Sequence, residues 1–139
     1  TEDCCAGDDR ILMCSIFQHP FYPYSGADKP AANMCNVPLA AGCGGEEFRD
    51  AVNQVWMPRL KEFKPQLIII SAGFDAHMRD PQADLMLETE DFGWLTAELV
   101  RLAERHGSGR VVSMLEGGYD LQALREGSVA HVQELLASR

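Results

Sequence analysis

The chain has 139 residues, 46% of them hydrophobic and 24% charged, which is the size of one ordinary domain with enough apolar mass to bury a core and no compositional sign of disorder. Its net charge of -9 sets a field that repels nucleic acid and anionic membranes while tolerating a cationic substrate, although acidity of this size is also common in plain enzymes. No apolar run approaches the roughly 20 residues a bilayer span needs, and no basic-plus-apolar signal opens the sequence, so the expected setting is soluble and cytoplasmic, with no membrane partner.

Five cysteines (Cys4, Cys5, Cys14, Cys35, Cys43) form an odd set without a CxxC pair. Free thiols are therefore expected, rather than a disulfide framework or a structural zinc site. Ile11 to Phe17 reads as a first strand, with Cys14 inside it as a small buried hydrophobe. The Pro-, Gly- and aromatic-rich stretch from His19 to Gly45 reads as one long loop, ordered by Phe21-Tyr22-Pro23-Tyr24. Phe48, Val52, Val55, Trp56, Leu60 and Phe63 fall at helical spacing, with a kink or restart expected at Pro58. Leu67 to Ser71 is a continuous apolar run, as in a strand covered on both faces of a parallel sheet.

The next helix is expected to begin near Thr89, capped by its hydroxyl, with Glu90 and Asp91 facing the positive end of the dipole. Gly107 and Gly109 bracket its end, and His106 complements the dipole in its last turn. Val111 to Leu115 is the third strand. A closing helix follows from Leu121, weakened in the middle by Gly127. This alternation predicts an α/β unit in which the three strands are mutually parallel.

Two strand ends carry chemistry. Ser71-Ala72-Gly73-Phe74-Asp75-Ala76-His77 places a carboxylate just beyond one strand, and Glu116-Gly117-Gly118-Tyr119-Asp120 places a phenol on a glycine turn beyond another. Parallel neighbours would deliver Asp75 and Tyr119 to the same edge, where open α/β sheets bind ligands. Taken alone, such an aspartate is more often a loop or capping residue, and a Gly-Gly-Tyr turn can be simple punctuation.

The first segment, followed by Asp80-Pro81, and the second, Leu115 to Leu121, resemble two signature segments of the histone deacetylase superfamily, which includes acetylpolyamine amidohydrolases and acetoin-utilisation proteins. Phe17-Gln18-His19-Pro20 with Tyr22-Pro23, and Asn36-Val37-Pro38-Leu39, extend the resemblance over essentially the full chain. Phe74 and Glu116 resemble the class II and bacterial branch. The resemblance implies a three-layer α/β/α unit with a parallel sheet, residues 1–139 forming the C-terminal part of an arginase/deacetylase-type fold. It implies a zinc-dependent amidohydrolase acting on acetyl-lysine or acetylated amines, with Asp75 as a metal ligand and Tyr119 as the donor to the oxyanion.

It also implies that Tyr22 walls the acyl-lysine channel beside Gly117 and Gly118, and that structural K⁺ or Na⁺ sits at the backbone of Ser15 and Ile16, with a further cation near Cys5, Asp8 and Ile11. His77 is not a ligand in that pattern, and His19, His106 and His131 read as surface or structural. In the family, an Asp-x-His metal pair and a His-Gly-Asn-Gly stretch lead into Thr-Glu-Asp, whereas this sequence begins Thr1-Glu2-Asp3. The other zinc ligands and the tandem catalytic histidines are therefore expected upstream, leaving the chain alone incomplete and inactive. Self-association is expected through an uncovered sheet edge, drawing on Ile11 to Phe17 and Phe21 to Tyr24. The alternatives are a non-catalytic α/β module that binds a ligand or partner and a nucleotide-binding fold, the latter disfavoured by the lack of a GxGxxG or phosphate-loop pattern.

Overall fold

The computed structural model describes residues 1–137. After a one-turn helix α1 (Glu2–Cys5), strand β1 (Met13–Gln18) pairs in parallel with β2 (Met34–Leu39), in a register that sets Met13 opposite Met34 and Gln18 opposite Leu39. The long loop expected between His19 and Gly45 thus contains a strand. Asn36 and Pro38 hide it in the sequence, because both residue types are depleted in strands and proline removes a ladder donor. A strand with one paired neighbour tolerates that loss.

The helical spacing from Phe48 to Phe63 produces α2 (Gly45–Ala51) and α3 (Met57–Phe63), joined without a break by a π-helical turn over Val52–Trp56. The expected kink at Pro58 takes this form. Proline offers no N–H and its ring crowds the carbonyl four residues back, and a widened turn ahead of it relieves both problems. The turn still serves the core: Val52 is fully buried, and Trp56 donates its indole N–H to the Cys35 carbonyl at 3.1 Å.

Strand β3 (Ile68–Ala72) pairs in parallel with β4 (Val111–Leu115), connected through α4 (Thr89–Gly107), and α5 (Leu121–Ala137) packs against α4. The three expected strands therefore fall into two separate parallel pairs, β1–β2 and β3–β4. The segment after β3 laces them together. Gln18 and Asp84 exchange two hydrogen bonds, Gly42 N–H reaches the Asp84 carbonyl at 2.7 Å, and Met86 N–H reaches the Cys43 carbonyl at 2.8 Å. One core runs beneath both pairs, built from Cys35, Phe48, Val52, Trp56, Leu87 and Leu99 among others.

Helix α4 begins one residue earlier than Thr89 would set it. Glu88 is the N-cap, with its N–H on Asp91 Oδ2 at 3.0 Å, while the Thr89 hydroxyl faces His77 Nε2 instead. The Leu67–Ser71 run is covered on one face only: Ile68 is buried, whereas Ile69 is 66% exposed and Met114 on β4 is 62% exposed. The β3–β4 face thus bares apolar surface, whereas the β1 residues from Met13 to Phe17 are half-buried. No helix among the described residues is long and apolar enough to cross a membrane.

His131 pins α5 to its neighbours. The Thr96 hydroxyl donates to the Phe92 carbonyl, so it accepts from His131 Nδ1–H at 2.7 Å, which leaves Nε2 to accept from the Ser113 hydroxyl at 2.7 Å. This is a neutral imidazole, and burial holds its pKa below the usual histidine value. Because the folded value is depressed, the stability His131 contributes is complete above the unfolded pKa of about 6.5 and is lost as pH falls from there through the folded value. Melting temperature should fall as pH drops below about 6.5, and His131→Phe, although less stable at pH 7.5, should show a shallower fall. Parallel curves for the two proteins would contradict this role.

Candidate active site at the carboxyl ends of β3 and β4

Beyond the last strand residues the ladder continues for one more step on each side. Glu116 N–H donates to the Ala72 carbonyl at 3.1 Å, and Phe74 N–H donates to the Gly117 carbonyl at 2.8 Å. These bonds hold the two motif segments edge to edge. Asp75 and Tyr119 consequently emerge at one common carboxyl edge, the position expected of a ligand site in an α/β sheet.

The Asp75 carboxylate lies directly over the glycine turn. A Cβ placed on Gly117 would sit 2.8 Å from Asp75 Cγ and 2.8 Å from its Oδ2, so the carboxylate fills the volume a side chain would need. Gly118 adopts φ 132°, a backbone geometry that other residues rarely reach, and its Cα hydrogens face Phe74 and Leu124. Phe74 is the wedge beneath, only 3% exposed, with its ring against Phe92, His131 and the α5 backbone at Gly127. That contact gives the glycine inside α5 its purpose.

Burial pushes the Asp75 carboxyl above its usual range, and the negative charges of Asp80 and Glu116 push it further, against an opposing hydrogen bond from its own backbone N–H. A half-buried carboxylate among like charges is a poor structural element and a good cation ligand. The donor chemistry suits zinc, which takes carboxylate oxygen. Among the described residues no three His, Cys, Asp or Glu side chains converge to hold a metal, so a metal at Asp75 would need ligands from other residues.

Tyr119 is half-exposed on the far side of the turn. Its backbone is fixed at both ends: Tyr119 N–H donates to Asp80 Oδ2 at 2.8 Å, and the next residue, Asp120, caps α5 by accepting Ala123 N–H at 2.7 Å. The Asp80 contact has no local sequence signal. Its only trace is the Asp80-Pro81 pair within the motif.

The remaining candidates lie elsewhere. His77 is 4% exposed and stacked on Phe92; its Nδ1 accepts Arg79 N–H at 3.1 Å and its Nε2 faces Thr89, so both ring nitrogens have structural partners. Tyr22 is 79% exposed in the stretch between β1 and β2. Ser15 and Ile16 sit in the interior of β1, opposite Asn36 and Val37, in the other strand pair from Asp75. The carbonyls of Cys5, Asp8 and Ile11 do converge, onto the side-chain amide of Asn33 at 2.8, 3.1 and 3.0 Å.

Residues 1–135 match the family described as the histone deacetylase domain. The chain is 37% identical over 128 residues to a probable deacetylase of Archaeoglobus fulgidus, an alignment that covers 88% of this chain and 36% of that protein. It is 36% identical over 138 residues to a histone deacetylase-like amidohydrolase of Pseudomonas aeruginosa, covering 94% of this chain and 36% of that protein. The crystal structure of the HDA15 HD domain superposes with a TM-score of 0.88 at 27% identity, over 99% of this chain and 41% of that one. The chain belongs to the histone deacetylase family, with the arginase/deacetylase-type α/β fold. It spans a little over a third of the length of these two curated relatives, 36% in each case.

Proposed function

We propose that this chain is the C-terminal portion of a zinc-dependent amidohydrolase that removes acetyl groups from acetyl-lysine or acetylated amines, with Asp75 on the metal and Tyr119 on the reacting carbonyl oxygen. The observation that carries this reading is the seating of the Asp75 carboxylate on Gly117 of the turn that bears Tyr119. It brings the two chemical groups to one sheet edge. A zinc ion held by Asp75 and by ligands from outside these residues would supply Lewis-acid activation of the amide carbonyl.

The protein's own part is positional and electrostatic. The Tyr119 phenol donates a hydrogen bond to the carbonyl oxygen as that oxygen gains negative charge, and the half-exposed turn gives substrate access to it. Gly117 and Gly118 form the channel floor, with Tyr22 as its wall. Ser15 and Ile16 offer backbone oxygens to a structural K⁺ or Na⁺. The acidic surface suits a cationic polyamine or a lysine-rich segment, in a cytoplasmic setting. The bare β3–β4 face gives the chain alone a route to self-association.

The test is deacetylation of an acetyl-lysine reporter by the complete protein that carries this chain. Turnover should be lost on chelation and restored by zinc, while residues 1–139 alone should show none. Turnover indifferent to chelation, or zinc binding without turnover, would count against the reading.

A further inference from the structure

The Asp80 carboxylate bridges the loop after β3 and the turn after β4. It is 7% exposed; Oδ2 accepts Tyr119 N–H at 2.8 Å, Oδ1 accepts Gln82 N–H at 2.9 Å, and the backbone N–H of Asp80 is held by the His77 carbonyl at 2.8 Å. A carboxylate is costly to bury, and here two backbone donors offset that cost through charge-assisted bonds. Two neighbours hold it in place. Pro81 restricts its backbone to extended geometry, and His77, which anchors its N–H, is itself packed on Phe92.

The turn that Asp80 grips needs such a grip. Gly117 and Gly118 precede Tyr119 and have no side chains of their own to anchor the turn, and the Tyr119 side chain is half in solvent. We infer that Asp80 is a positioning residue for Tyr119: its carboxylate fixes the Tyr119 backbone so that the phenol is presented to the reacting carbonyl oxygen in one orientation. This rests on the reading of Tyr119 as the oxyanion donor. Asp80 touches no substrate, and its effect on the phenol passes through the Tyr119 N–H that Oδ2 accepts.

The experiment is a double-mutant cycle in the complete protein, with kcat, KM and bound zinc measured for each variant. Asp80→Ala should lower kcat about 10- to 100-fold, the scale of loss for a catalytic group displaced by around an ångström, with KM and zinc content near their parent values. Asp80→Asn keeps one oxygen for Tyr119 N–H and should recover part of that loss; it also carries the test if the alanine variant fails to fold. In a Tyr119→Phe background, either substitution should cost little more. An equal further loss in that background, or a loss that tracks zinc content, overturns the positioning role. If Tyr119→Phe by itself leaves kcat unchanged, the assignment of the phenol fails first, and the role of Asp80 falls with it.

Discussion

Tyr119→Phe in the complete protein is expected to lower turnover by about 10²- to 10³-fold, the usual effect of removing one oxyanion donor, with a much smaller change in KM. The split follows from when the bond matters. A neutral amide oxygen accepts a phenolic hydrogen bond weakly, whereas the same oxygen carrying developing charge accepts it strongly, so the loss appears in kcat. The substitution removes one oxygen from a half-exposed side chain and leaves the N–H held by Asp80 in place. The folded structure and its melting temperature should therefore be unchanged. Steady-state kinetics beside a thermal melt check both halves, and a parent-like kcat would remove Tyr119 from the reaction.

Asp75→Asn should lose both zinc and activity. Outer partners of metal ligands typically cost about 10- to 100-fold in affinity when removed, and a direct ligand exchanged for a neutral amide should exceed that. Zinc retained after dialysis, measured per protein molecule beside turnover, reads the effect directly; full zinc occupancy with low turnover would assign Asp75 another task. The metal-free protein should respond differently. Burial and the charges of Asp80 and Glu116 disfavour the ionised carboxylate, so its folded pKa lies above the unfolded one and ionisation at neutral pH weakens the metal-free fold. Asparagine has the same shape without the charge. Chelated Asp75→Asn should melt no lower than the chelated parent at pH 7.

Much of the second half of the chain is legible from its residues alone. The apolar runs at β3 and β4, the spacing of Phe92, Leu95, Leu99 and Leu102 in α4, and the glycine turn before Tyr119 each obey a local rule, and the structure follows them. Strand β2 is not legible in that way, since Asn36 and Pro38 argue against a strand and only pairing with β1 outweighs them. At Val52–Trp56 the sequence signals a disturbance through Pro58, but the form it takes depends on where the surrounding core lets the helix widen. Thr89 is a good capping residue in the wrong place, because His77 draws its hydroxyl away. The site divides along the same line. Asp75 and Tyr119 announce themselves, whereas the bond from Asp80 spans 39 residues and belongs to tertiary structure alone.

The seating of Asp75 on Gly117 makes the site an interlocking pair for anyone who would alter or transplant it. Any side chain at position 117 must evict the carboxylate from the space it fills, so a change made to reshape the turn becomes a change to Asp75. The converse also holds: a larger acid at position 75 has no berth unless the turn backs away and takes the phenol with it. Positions 75 and 117 therefore cannot be tuned one at a time at this edge. Libraries that aim to reshape this edge should vary both positions together, or leave both alone.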